Sequence, residues 1–92
     1  MNEDELARLK EWIAEHCEEA MMADGLEDAI IGIAERCSCP SLVVYDFERC
    51  VGILMERDGM TEEDAVEFLE FNTVGAWVGP RTPLFLRRPP RS

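Results

Sequence analysis

The sequence predicts a small domain of the mainly α (α+β) class, with about four helices and a minimal two-stranded β pairing. Three observations favour this class: the chain has 92 residues, 47% of them are hydrophobic, and most apolar residues recur at helical spacing. No run of 18 apolar residues occurs, so no membrane-spanning helix is expected. We expect one compact acidic domain over residues 1–86, and a disordered basic Pro/Arg tail over residues 87–92.

The first two helices are predicted from capping residues and apolar stripes. Asn2 with Glu5 is typical of a capped helix start, and this helix is expected to run to about Met22. Its stripe steps by three and four residues along Leu6, Leu9, Ile13, Cys17 and Met21. Asp24 can cap a second helix, from Leu26 to about Cys37. The stripe of that helix consists of Ile30, Ile33, Ala34 and Cys37.

The second half of the chain predicts two further helices and two short strands. Asp46 caps a third helix, Phe47 to Asp58, which Gly59 can end. Thr61 with Asp64 starts a fourth helix that Asn72 or Gly75 can end. The β-branched and aromatic run Leu42–Tyr45 and the run Leu84–Leu86 are expected to pair with each other. Tyr45 and Phe71 are expected in the core.

The net charge of −11 is unevenly distributed along the chain. Residues 1–28 carry −8, residues 29–59 carry −2, residues 60–79 carry −5, and residues 80–92 carry +4. An acidic body argues against direct binding to a nucleic-acid backbone, where cations drive affinity. It is compatible with a protein partner that has a basic surface. A charge that serves only solubility remains the alternative.

A segment from about Ile33 to Leu86 carries a set of motifs. They are Arg36-Cys37, Val44-Tyr45-Asp46, Glu56–Thr61, Glu70-Phe71-Asn72, Gly75-Ala76-Trp77-Val78-Gly79 and Thr82-Pro83. With these motifs, the chain resembles a family of small uncharacterised proteins of bacteria and their phages. The resemblance implies a phage or mobile-element accessory protein, and the family has no assigned activity that could be carried over to this chain.

Four cysteines and one histidine raise the alternative of a thiol or zinc-binding protein that uses Cys37, Cys39 and Cys50. The chain lacks the second close cysteine pair that structural zinc sites usually have, so no metal or other cofactor is expected. Cys39 precedes a proline in a turn and is expected to be exposed. No phosphate loop, dinucleotide fingerprint or serine elbow occurs, and we expect no catalytic residues and no enzyme.

The sequence therefore favours a protein that binds and occludes a basic partner, with an anti-CRISPR-like or other anti-defence inhibitor as its concrete form. The expected partner-binding residues are Glu11, Glu15, Glu18, Glu19, Trp12 and Trp77. A homo-oligomeric structural module remains a further alternative. The acidic start, Met-Asn-Glu-Asp-Glu, is unlike a secretory signal, so a cytoplasmic location is expected.

Overall fold

A computed structural model of the chain describes residues 2–17, 20–23, 25–74 and 79–89. Within those ranges the chain forms three α-helices and three strands. They are α1 (Glu3–His16), β1 (Ile30–Ala34), β2 (Leu42–Asp46), α2 (Phe47–Asp58), α3 (Glu62–Leu69) and β3 (Leu84–Leu86). A 3₁₀ turn, Glu27–Ala29, precedes β1, and a π-helical turn, Glu70–Val74, follows α3. The fold is α+β, so the predicted mainly helical class with four helices and two strands is wrong.

The three strands form one mixed sheet in the order β1-β2-β3. β1 pairs antiparallel with β2, and β2 pairs parallel with β3. The predicted pairing of Leu84–Leu86 with Leu42–Tyr45 is therefore confirmed. The strand β1 was not predicted, and its five residues lie in the middle of the predicted second helix, Leu26 to about Cys37.

A β-bulge explains why the apolar residues of β1 have the spacing that predicts a helix. Ile30 pairs with Tyr45, Gly32 pairs with Val44, and Ile31 is the extra residue between them. An extra residue shifts the alternation of the strand by one. Ile30 and Ile33 consequently both pack against the core, three residues apart, while Ile31 is exposed. Spacing of three is the signature of a helix, but here it arises within a strand.

The first helix ends at His16, six residues before the predicted end near Met22. Cys17 takes an extended conformation, its side chain is buried, and its thiol donates a hydrogen bond to the carbonyl oxygen of Ser41 (2.8 Å). Farther on, the backbone N–H of Ala23 donates to the Tyr45 hydroxyl (2.7 Å). These contacts hold Cys17 and Ala23 against the sheet, and the extended conformation of Cys17 ends the helix before Met22.

The capping predictions for α1, α2 and α3 are confirmed, whereas Asp24, the predicted cap of a second helix, lies outside the described residues, and Ile30–Ala34 of that predicted helix form a strand. The side chains of Asn2, Asp46 and Thr61 each accept a hydrogen bond from a backbone N–H in the first turn of their helix. Gly59 ends α2 in the left-handed conformation, with φ of 68°. Gly75, one of the two predicted ends for the last helix, lies outside the described residues.

The core lies between the sheet and the helices α2 and α3. It includes Val43, Tyr45, Cys50, Leu54, Ala65 and Leu69. The Tyr45 ring stacks on Phe85 of β3, with ring centroids 5.3 Å apart. Phe71, in contrast, is 77% exposed, so its predicted core position is wrong. Ala65 and Leu69 define the buried face of α3, and Phe71, two residues after Leu69, lies on a different side of the helix.

None of the helices in the described part of the chain is both long and apolar enough to cross a membrane. The prediction of a single domain over residues 1–86 stays a prediction. The same is true of a disordered tail over residues 87–92, of which only residues 87–89 are described.

Candidate interaction groove

A surface groove of about 470 Å³ runs between α2 and α3. We call it the α2–α3 groove. Its floor is apolar and consists of Phe47, Val51, Gly52, Met55 and Val66. Three carboxylates line its rim, Glu48, Glu62 and Glu70, and the chain's own Arg87 and Arg88 lie along it.

The sequence of the two helices produces this arrangement. Phe47 and Val51 lie one turn apart on α2, and Val66 faces them from the middle of α3, so their side chains form a shared apolar strip. Glu62 and Glu70 follow the same periodicity around Val66 at the edge of α3. A second hollow of about 470 Å³ shares this edge and adds Glu63 and Glu67. The acidic surface thus extends beyond the groove itself.

Arg87 shows what the groove can bind. Its guanidinium group lies over the Phe47 ring, 3.9 Å from the ring centroid. One of its nitrogens donates a hydrogen bond to Glu70 Oε1 at 2.8 Å. An aromatic face with a carboxylate beside it suits the flat, delocalised cation of arginine.

Arg88 occupies a second acidic position, at the start of α2. Its side chain donates to Asp46 Oδ2 at 2.8 Å and lies 3.6 Å from Glu48 Oε2. Its backbone N–H donates to Glu48 Oε1 at 3.3 Å. Hydrogen bonding to Arg88 lowers the pKa of Asp46 from its ordinary value, and Asp46 in turn raises the pKa of Arg88. Both groups are therefore charged at neutral pH.

The ion pairs of this segment are exposed and hence individually weak. The side chains of Arg87, Arg88, Glu48 and Glu70 are each about half exposed, whereas the side chain of Asp46 is 22% exposed. Exposed ion pairs and exposed cation–π contacts are individually weak, because water screens the charges. The two arginines are therefore held in place by contacts that another cation can replace.

The residues predicted for partner binding are not brought together in this groove. Glu11 and Glu15 are exposed on α1, and Trp12 is 42% exposed beside His16, with ring centroids 5.0 Å apart. His16 Nδ1–H donates to the Trp12 carbonyl oxygen at 2.9 Å, which orders the end of the helix. Glu18, Glu19 and Trp77 lie outside the described residues.

The cysteines do not form the metal site considered as an alternative. Cys50 is buried in α2, whereas Cys37 and Cys39 are exposed on the turn between β1 and β2, as expected for Cys39. The Arg36 side chain donates to the Cys39 sulfur at 3.2 Å. No group of three or more His, Cys, Asp or Glu side chains suited to a metal ion occurs within residues 2–17, 20–23, 25–74 and 79–89. Burial and the nearby Asp46 charge raise the pKa of Cys50 to about 11, which keeps it a thiol.

A separate cavity of about 450 Å³ lies against the other end of α2 and α3. It is lined mostly by apolar side chains, among them Met21, Met22, Leu54, Phe68 and Phe85. Among the described residues that line it, Arg57 is the charged one, and it already donates to the carbonyl oxygen of Gly25 (3.0 Å) and pairs with Asp58 (3.2 Å). The described lining thus offers no uncompensated charge that could orient a ligand.

The sequence predicts an acidic interface on the first helix and does not predict the α2–α3 groove. The signal for the groove was present in the charge distribution: residues 60–79 carry five acids and no base, and residues 80–92 carry four arginines. Opposite charge in neighbouring segments indicates that they can meet. The apolar floor of the groove, however, forms only when α2 packs against α3, and the sequence does not show this packing.

Comparisons with protein-family models, with curated proteins and with solved structures each find no match for the chain. The resemblance to small bacterial and phage accessory proteins therefore stays a prediction.

Proposed function

We propose that this protein is a stoichiometric binding protein whose α2–α3 groove takes a basic, arginine-containing segment of a partner protein. The single observation that carries this proposal is the position of Arg87, stacked on Phe47 and paired with Glu70 at the edge of the groove. A partner arginine can make the same two contacts. Binding by this route needs no catalytic residue and no cofactor.

The chemistry of the groove favours a peptide segment over a bare cation. The carboxylates of Glu48, Glu62 and Glu70 attract positive charge, and the floor offers apolar side chains such as Val66 and Met55, the latter 39% exposed. A segment that alternates arginine with an apolar residue satisfies both. Phosphate groups would be repelled by the same rim, so direct binding of nucleic acid is disfavoured.

The proposed partner is still a protein with a basic surface, as the sequence predicts. The proposed contact surface, however, is the α2–α3 groove and not the first helix. On α1 the acidic side chains are interrupted by Arg8 and Lys10, whereas α3 and Glu70 carry five acids without a base. The anti-defence inhibitor remains the concrete form that the resemblance suggests. In that form, occlusion of a basic surface on a nucleic-acid-handling enzyme would be the mechanism.

A cytoplasmic location fits this form, and it also fits four cysteines without a disulfide.

Peptide binding measured by fluorescence anisotropy tests the proposal. The probe is a fluorescein-labelled hexapeptide, Arg-Leu-Arg-Arg-Leu-Arg, and the matched negative probe replaces every arginine by glutamate. The triple variant Glu48→Gln, Glu62→Gln, Glu70→Gln removes the rim charges. We expect it to weaken binding of the arginine peptide by about tenfold or more.

The control for this experiment removes the same charge from α1 by Glu3→Gln, Glu11→Gln, Glu15→Gln. Because both triple variants change the net charge equally, their difference reports position and not total charge. We expect the α1 variant to bind within about twofold of the unmodified protein. Equal losses in the two variants would leave only a diffuse charge effect, and greater loss in the α1 variant would return the interface to the first helix.

A further inference from the structure

We infer that Arg87 and Arg88 act as an internal competitor that occupies the arginine positions of the α2–α3 groove, so that a partner must displace them to bind. The inference rests on the proposed function and adds a way in which binding of the partner is regulated. It concerns the short segment after β3, which the sequence alone suggested to be a disordered tail. In the structure, residues 87 and 88 contact four acidic or aromatic side chains of the body: Asp46, Phe47, Glu48 and Glu70.

The contacts are those of a bound ligand and not of an accidental surface pair. Arg87 makes a stacked contact and a hydrogen bond to different elements, Phe47 of α2 and Glu70 beyond α3. Arg88 adds side-chain and backbone donors to the two acids at the start of α2. Two consecutive residues thus occupy two adjacent acidic positions, as two consecutive residues of a basic peptide would.

The attachment to β3 makes this occupation effective despite its weak individual contacts. Leu84–Leu86 pair with Val44–Asp46 of β2, which places residue 87 beside the groove. A tethered ligand has a high effective concentration at its site, in the millimolar range for short flexible linkers. The apparent affinity for a competing peptide is therefore the intrinsic affinity multiplied by the fraction of molecules in which the groove is free.

The competition can be measured with the same labelled Arg-Leu-Arg-Arg-Leu-Arg peptide. The variant Arg87→Ala, Arg88→Ala empties both positions, and we expect it to bind the peptide about tenfold more tightly than the unmodified protein. Loss of two positive charges also raises the general attraction for a basic peptide. The matched control is Arg36→Ala, Arg81→Ala, which removes the same charge elsewhere, and we expect its affinity to change by no more than about twofold.

A second pair of variants separates competition from damage to the fold. Arg87→Lys, Arg88→Lys keeps the charge but loses the flat group that stacks on Phe47, and we expect an intermediate gain in affinity. Combining Arg87→Ala, Arg88→Ala with Glu48→Gln, Glu70→Gln should abolish the gain. Thermal unfolding of each variant, followed by circular dichroism, shows whether the fold persists.

The possible results distinguish the inference from the function on which it rests. Equal peptide affinity in the unmodified protein and in Arg87→Ala, Arg88→Ala would overturn the competitor while leaving the binding function intact. A gain of the same size in the charge-matched control would also overturn it. Absence of binding in every variant, including those with an emptied groove, would overturn both proposals.

Discussion

The helices α1 and α3 both carry acidic side chains, yet only α3 forms part of a candidate site. α1 has five acids and two bases, and of its side chains only Ile13 is buried. α3 with Glu70 has five acids and no base, and it packs along α2 through Ala65 and Leu69. The comparison teaches that acidity alone does not define an interface. The charges become selective where a packed neighbour supplies an apolar floor and a cavity.

The largest expected difference between the two helices is in stability. Leu69→Ala truncates a side chain with no exposed surface, and we expect a loss of about 2 to 5 kcal/mol in the free energy of unfolding. Trp12→Ala on α1 removes a larger but partly exposed side chain, and we expect a loss below about 1.5 kcal/mol. Urea unfolding followed by circular dichroism measures both. A larger loss for Trp12→Ala would mean that α1 is as integral to the core as α3.

A smaller difference is expected from the helix caps. Thr61→Ala removes the hydroxyl that accepts from the Asp64 N–H at 3.2 Å, which should cost about 1 kcal/mol. Asn2→Ala removes the equivalent acceptor for Glu5 of α1. Because the end of α1 can fray without exposing the core, we expect a global loss below about 0.5 kcal/mol. Equal losses in urea unfolding would contradict the distinction between the two helices.

The contribution of the Arg88–Asp46 ion pair to stability should depend on pH, which tests the α2 side of the groove. The folded pKa of Asp46 lies below its ordinary value because Arg88 donates to it. Its contribution to stability is therefore present above the ordinary pKa and lost as the pH falls through the lowered folded value. We expect Arg88→Ala to be slightly less stable than the unmodified protein at neutral pH, and we expect this difference in stability to shrink as the pH falls below the ordinary pKa of Asp46. A stability difference that does not change with pH in this acidic range would assign the effect to packing.

The smallest effect is expected in the rate of thiol labelling, which reports whether the buried side of α2 is accessible to solvent. Cys50 is buried in α2 and its pKa is raised to about 11, so it should resist iodoacetamide at about pH 8. Cys17 is buried and should resist as well, whereas Cys37 and Cys39 are exposed and should react. Mass spectrometry of labelled peptides gives the positions. Rapid labelling of Cys50 would show that α2 opens readily.

The parts of the fold that could be predicted from the sequence depend on neighbouring residues. The cap at Asp46, the end at Gly59 and the cap at Thr61 are local, and α2 was predicted with its observed bounds. β1 could not be predicted, because the bulge at Ile31 gives a strand the spacing of a helix. The end of α1 was missed for a related reason: the bond from Cys17 to Ser41 spans 24 residues and leaves no local pattern.

The candidate groove was only partly predictable for the same reason. The separation of acidic and basic segments is visible in the sequence, and it indicates that residues after Pro80 can meet the acids of residues 60–79. The contact of Arg88 with Asp46, however, joins residues 42 positions apart, and it exists only because β3 lies parallel to β2. The spacing of residues in the sequence does not predict a contact between positions so far apart.

The parallel placement of β3 has a consequence for the order in which the molecule assembles. β1 and β2 are joined by a short connection, and α2 and α3 follow at once, so these elements can associate early. β3 must close a loop of about forty residues on β2, which costs more entropy and is slower. We therefore expect the α2–α3 groove to be complete and vacant for an interval during folding, before β3 pairs with β2 and brings residues 87 and 88 to it.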